Sequence, residues 1–309
     1  MQRYVASKWK KTSALKENER IRPHLLPMEK MTPESLASML REYRTVFVKP
    51  VSGMHGKGVM KVERTESGAK RYRCQEGFIK RSFDSREELY RAIRKVAAGR
   101  EYLVQKGIKL LTYQGRPFDT RVMIQHNPHG EWEVTGILCR VAEPGKIVTN
   151  VHNGGRLKTI EAVMKGYQTP GQTKRLVHKL ESLGLAVARQ LERHFPGIRE
   201  IGLDVALDRS LMPWIIETNT SPASFIFKHH PDKSVYRRVR RYAMAYGKLR
   251  PKRKKPDDSR EWIAARRSTG KKLEERKAAP KRGEAGKSKE LRSVSREKAR
   301  KAVPMRRKA

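Results

Sequence analysis

Cysteine is nearly absent. Cys74 and Cys139 are the only two in 309 residues, too few for a disulfide framework or a structural zinc site, and both are expected to be reduced thiols. Long apolar runs are missing too. No segment approaches the roughly 20 apolar residues that span a bilayer, and the opening MQRYVASKWKK has no apolar core of a signal peptide. The expectation is a cytoplasmic protein with no transmembrane segment. Acidic residues are scarce, 32 Asp and Glu against 71 Lys and Arg, so the formal net charge is +39 and the chain should attract polyanions. Hydrophobic residues, at 37%, are few for a fully globular chain. The deficit lies at the end, where residues 251–309 hold 23 Lys or Arg against 8 Asp or Glu. That composition reads as a disordered basic tail behind a folded region of residues 1–250.

What remains is rich in helix and strand signals. Residues 8–42 read as two short helices around a Pro-marked loop, the second opening at MTPESLASML with Thr32 as N-cap and Pro33 in the first turn. TVFVKP (45–50) and VMKVER (59–64) form a hairpin whose tip is VSGMHGKG; a strand near YRC and a helix from Ser85 to about Ala98 follow. EYLVQKGI is the next strand, and PFDTRVMIQ with EWEVTGILCRV makes a second hairpin. Residues 143–170, rich in Gly and Pro, read as a long loop; 172–194 as an amphipathic helix; EIGLDVALD and PWIIETN as a last hairpin; 235–246 as a closing helix. This order predicts an α+β fold with largely antiparallel sheets.

Three clusters carry chemistry. In the loop Ser52-Gly53-Met54-His55-Gly56-Lys57-Gly58 the glycines let backbone N–H groups approach an anion, with Lys49 placed to reach the same group. It is not a Walker A loop, because GxxxxGK[ST] is absent. In the final strand pair Asp204 interrupts the apolar IGLDVAL, and Glu217 and Asn219, two residues apart in WIIETNTSP, share a strand face. These hard oxygen donors suit Mg²⁺; alternatively Asp204 and Glu217 pair with Arg121 or Arg140 in a structural network. Asp119 and Arg121 share a face of FDTRV, and Arg140 ends the following strand, where arginines would stabilise charge developing on a phosphoryl group.

The ordered set FVKPVSGMHGKGV, YLVQKGI, FDTRV, CRV, TNVHNGG, GLDVAL and IIETNTSP, running from about Lys8 to Lys228, resembles the ATP-grasp superfamily. RimK-like ligases are one parallel, and the YheC/YheD family of endospore-associated ATP-grasp proteins is a more specific one. The resemblance implies two α+β subdomains, about 8–110 and 111–250, that clamp MgATP. It implies that Lys8 and Lys49 bind phosphates, under a closing loop that includes Ser52, Gly53, Gly56, Lys57 and Gly58. Gln105, Lys106 and Ile108 would hold the adenine at the hinge, chiefly through backbone groups. Arg121 and Arg140 would face the γ-phosphate or an acyl-phosphate, with Asn150 near the phosphates. Asp204, Glu217 and Asn219 would bind Mg²⁺, or Mn²⁺. The sequence departs from the pattern at Lys106, where an acid is common, and at Ala223, where Gly is common.

The leading expectation is therefore an ATP-dependent carboxylate–amine ligase acting through an acyl-phosphate, on a carboxylate and an amine that no pattern in the chain identifies. Many relatives place a separate domain before this region, whereas here the region begins almost at Lys8. Two alternatives follow. One is a non-catalytic nucleotide-binding component of the spore coat, tethered by its basic tail and located on the forespore or coat surface. The other is a polyanion- or nucleic-acid-binding protein, suggested by charge alone; with Trp262 the tail's only aromatic, base stacking is not supported.

Overall fold

The computed structural model describes residues 3–53, 56–66, 70–147, 149 and 155–249. Met1–Pro251 forms one unit and Lys252–Ala309 another. The expected disordered tail lies outside the described residues.

The first sheet is antiparallel throughout, in the order β1-β6-β2-β3-β4-β5. Its strands are β1 (Met28–Lys30), β2 (Thr45–Pro50), β3 (Met60–Arg64), β4 (Tyr72–Glu76), β5 (Ile79–Phe83) and β6 (Tyr102–Lys106). Strand alternation divides its side chains between two faces. Val46, Val48, Tyr102 and Val104 turn to a core under α2 (Pro33–Glu42) and α3 (Arg86–Ala97), which supply Leu36, Leu40, Leu89 and Ile93. Burying each such side chain is worth about 1.5–3 kcal/mol. Lys49 and Gln105, one step out of phase, turn to the opposite face. Helix α2 starts where its capping box demands: Thr32 accepts from the Ser35 N–H while the Ser35 hydroxyl accepts from the Thr32 N–H.

The second sheet runs β10-β9-β8-β11-β12, with β7 paired to β8 off this path. It comprises β7 (Thr112–Tyr113), β8 (Arg116–His126), β9 (Trp132–Val141), β10 (Arg156–Lys158), β11 (Glu200–Leu207) and β12 (Pro213–Asn219). On one face Phe118, Val122, Cys139, Leu203 and Val205 pack against α5 (Pro170–His194) and α4 (Ile160–Met164). On the other, Met123 and Leu138 meet Phe227 and Val239, the latter from α6 (Lys233–Ala245). Although α1 (Lys8–Lys16) precedes the first sheet in the chain, its Ala14 and Leu15 belong to this second core. The Lys8 N–H is tied to the Val51 carbonyl at 2.9 Å, and the Val5 N–H to the Thr220 hydroxyl at 2.9 Å. Lys8 is thereby held between the end of β2 and the end of β12.

Five elements differ from the sequence reading. Residues 143–170 are not a structureless loop: β10 pairs with β9 there, and α4 follows its cap Thr159. Strands β1, β5 and β7 were also not anticipated. β1 and β7 are three and two residues long, and β5 is largely exposed, so none carries an alternating apolar signal. Their ladder partners, rather than their own residues, define them.

Candidate nucleotide and metal site

The faces opposite the α3 and α5 cores line a cleft with two adjoining lobes. The charged lobe, about 200 Å³, is bounded by Lys8, Lys49, Arg121, Arg140, Asp204 and Glu217. The other, about 130 Å³, shares Lys49, Arg140, Asp204 and Glu217 and is otherwise largely apolar, with Leu26, Phe47, Val59, Ile108, Leu110 and Ile216.

A β-bulge shapes the far wall. Ile215 and Glu217 are two residues apart and in a regular strand would share a face, yet Ile215 lies in the core while Glu217 lines the cleft. The register explains this: Asp204 pairs with Glu217 and Val205 with Ile215, leaving Ile216 as an extra residue. The bulge also leaves the Ile216 carbonyl to accept from Lys49 Nζ at 3.1 Å.

Asp204 is the electrostatic centre. Arg121 Nε donates to Oδ1 at 2.5 Å and Nη2 to Oδ2 at 3.1 Å, while Arg140 Nη2 lies 2.9 Å from Oδ2. Burial by itself would push the Asp204 carboxyl up, but the two guanidiniums overrule it and hold it below the usual carboxylate range. Arg140 also grips Asp119, from Nε at 2.8 Å and from Nη2 at 2.5 Å, and the Thr149 hydroxyl donates to the same carboxylate at 2.6 Å. For Asp204 this network is the arginine pairing that the sequence left open beside metal binding; the ion pair of Glu217 is with Lys8 instead. Gly202 is required for the network: a Cβ there would lie 2.6 Å from Pro222 Cβ and 3.3 Å from Arg121 Cδ, over which the arginine is laid.

The lysines face it. Lys8 Nζ lies 3.5 Å from Glu217 Oε1 and 3.1 Å from the Gly53 carbonyl. Lys49 is buried and donates to two neutral acceptors, Gln105 Oε1 at 2.7 Å and the Ile216 carbonyl. Desolvation, opposed by Glu217, lowers its pKa from 10.5 to about 8, and burial does the same to Lys11, one turn along α1, also to about 8. Lys11 was missed in the sequence, where SKWKK looks uniformly exposed. Between about pH 8 and 10.5 the unfolded chain carries protons on both lysines that the folded chain has lost, so stability should rise with pH across that window. Anion binding should move the opposite way, strong below pH 8 and weakening above it. Urea midpoints and ADP affinities measured from pH 7 to 10 test both directions; a parallel fall of the two contradicts this assignment.

In the glycine loop, Gly53, Gly56 and Lys57 line the charged lobe. Gly58, at φ +72°, does not line either lobe, and a Cβ there would be 2.5 Å from the Tyr102 hydroxyl. Ser52 is exposed and does not line the cleft. Gln105, Lys106 and Ile108 line the apolar lobe. The Lys106 ammonium lies 4.8 Å from the Tyr43 ring and 5.8 Å from that of Trp214, and the Lys106 backbone N–H donates to the Pro27 carbonyl at 2.9 Å. Asn150, Met54 and His55 lie outside the described residues.

Asp204, Glu217 and Asn219 share the charged lobe as a hard-oxygen set. Among the described residues no three His, Cys, Asp or Glu side chains gather as a metal group. Asp204 is already committed to two arginines, and the Asn219 amide nitrogen approaches its Oδ2 at 3.5 Å. Two carboxylates and an amide therefore fit a cation whose remaining positions are filled by water and phosphate, as Mg²⁺ prefers, and not a closed protein cage.

The chain is 30% identical over 246 residues to the endospore coat-associated protein YheD of Bacillus subtilis (strain 168), an alignment covering 77% of this chain and 53% of that protein. It is 22% identical over 222 residues to YheC of the same organism, covering 71% and 61%. The chain thus spans only about half to three-fifths of the curated relatives it matches. Overlays on solved structures are loose. D-cycloserine synthetase DcsG gives a TM-score of 0.48 at 13% identity, covering 79% of this chain and 71% of that one. The ATP-grasp ligase PsnB, complexed with minimal precursor, gives 0.43 at 13%, covering 73% and 55%. Such overlays carry no information on substrate. A family model described as "YheC/D like ATP-grasp" matches residues 1–249, and the chain belongs to that family.

Proposed function

We propose that the chain is an ATP- and magnesium-dependent ligase that joins a carboxylate to an amine. The observation that carries this reading is the junction of a cationic lobe that also holds Asp204 and Glu217 with a largely apolar lobe lined by the hinge residues Gln105, Lys106 and Ile108. In this reading Gln105, Lys106 and Ile108 hold the adenine, chiefly through backbone groups. Lys8, Lys49, Lys57 and the N–H groups of the glycine loop hold the phosphates. Asp204, Glu217 and Asn219 would hold the magnesium ion, which when bound would supply charge neutralisation. Arg121, whose Nε and Nη2 are taken by Asp204, directs Nη1 to the transferring group. A substrate carboxylate oxygen attacks the γ-phosphorus and the bond to ADP breaks. The amine then attacks the acyl carbon, expelling phosphate and losing its proton. No side-chain nucleophile is required; positioning and charge stabilisation do the work. Association with the spore coat, which the relatives' names state for those proteins, is part of the same proposal.

The test is calorimetric titration of ADP into the full chain with and without Mg²⁺, wild type beside Glu217→Gln. Magnesium-dependent binding that weakens at least tenfold in the variant is expected, since one of two ligand charges is removed. Binding without ADP release from ATP in the presence of varied carboxylates and amines points to the nucleotide-binding, non-catalytic alternative. Absence of binding by the folded wild type overturns both readings.

A further inference from the structure

Helix α6 carries a charged face for which the proposed ligation has no use. Lys233–Ala245 contains no Asp or Glu, and residues 228–250 hold eight Lys or Arg against a single Asp. Its inner side buries Val239, Tyr242 and Ala243. Its outer side sets Ser234, Arg237, Arg238 and Arg241 at i, i+3, i+4 and i+7, where they line an open depression of about 430 Å³ that shares no residue with the cleft. Like charges at such spacing repel and weaken a helix. The macrodipole does not explain them, because no basic residue occupies the last turn.

Two of the guanidiniums are held in place. Arg238 donates to the Thr135 carbonyl from Nε at 3.3 Å and from Nη2 at 3.1 Å, and Arg241 lies 5.3 Å from the Tyr242 ring. The carboxylate these two approach, Glu133, accepts from the Tyr242 hydroxyl at 2.6 Å and the Asn127 amide at 2.7 Å, and Asp232 caps the helix through Ser234. A planar guanidinium fork matches phosphate oxygens two at a time. Tyr242 is buried and Tyr236 half-buried, so the face offers no ring on which an unpaired base would stack. Phosphate contact without stacking suits a duplex read through its backbone. We infer that α6 presents Arg237, Arg238 and Arg241 as a docking stripe for the phosphate backbone of a nucleic-acid duplex. Six residues beyond the helix the chain enters the basic segment from Pro251, which adds sequence-independent attraction.

The experiment measures anisotropy of a labelled, mixed-sequence DNA duplex titrated with the full chain over a series of salt concentrations, wild type beside Arg237→Gln/Arg241→Gln. Removing two phosphate contacts should flatten the slope of log K against log salt by about 2 and weaken binding roughly tenfold or more at 0.1 M salt. MgADP affinity and the urea midpoint should be unchanged, which separates this outcome from failure of the ligase reading. Should the pair lower the urea midpoint, Arg237→Gln alone replaces it, with a slope change of about 1 expected. Slope and affinity equal to wild type overturn the proposal and assign the binding to the tail. Poly-glutamate held as tightly as the duplex, and lost by the same factor, overturns it in favour of an acidic protein partner.

Discussion

Replacing Asp204 with alanine is expected to destabilise the fold by about 3–5 kcal/mol at pH 7, the loss that follows when one partner of a buried ion pair is removed and the others stay buried. Here two guanidiniums would be stranded. Arg121 is 6% exposed and Arg140 4%, and between them they direct four donor contacts to Asp204 and Asp119 within 2.9 Å. Asp119 would keep Arg140 partly satisfied, but Arg121 would lose the only carboxylate it contacts among the described residues. Urea unfolding measures the loss. Asp204→Asn, which keeps the shape and one acceptor while removing the charge, should fall between wild type and alanine. Both variants should lose magnesium-dependent ADP binding. A cost below about 1 kcal/mol for alanine would mean that the arginines relax to solvent, and that the network does not hold the second sheet's cleft face.

Lys49→Met should separate binding from folding. Lys49 is 6% exposed, its ammonium has neutral acceptors, and desolvation has lowered its pKa to about 8. The fold therefore carries the cost of burying it without a carboxylate in direct contact among the described residues. Methionine has similar length and no polar head, so the apo protein should be unchanged in stability or more stable by about 1 kcal/mol, the Gln105 and Ile216 acceptors being the opposing loss. ADP affinity, by contrast, should fall by at least thirtyfold, as for truncating a buried charge that meets an opposite one, about 2–5 kcal/mol. Calorimetric titration and urea unfolding on the same preparation decide it. A variant that unfolds more readily yet binds ADP normally would reverse the assignment and make Lys49 a structural residue.

Much of this cleft was legible from local pattern. Thr32 and Pro33 mark the start of α2, the leucine spacing marks α5, and FDTRV, GLDVAL and IIETN read as strands because their apolar residues alternate or run continuously. What could not be read had no local signal. The Ile216 bulge reverses the parity of β12, and nothing in PWIIETN distinguishes a bulged strand from a regular one. Asp119 was visible only as a neighbour of Arg121; its grip on Arg140 depends on the register that sets it opposite that residue. Lys11 looks like a surface lysine in SKWKK and is buried because α1 packs on α5.

The sequence by itself determined the chemistry available: the cations, the hard oxygen donors, the glycine loop, and an order of motifs specific enough to indicate the ATP-grasp family. Tertiary structure decided which of these groups meet. Lys8 reaches Glu217 from more than 200 positions away, and Lys49 reaches Ile216 across 167. Such meetings are set by the packing of α1 on the second core and by strand register, and both are non-local terms that no window along the chain contains.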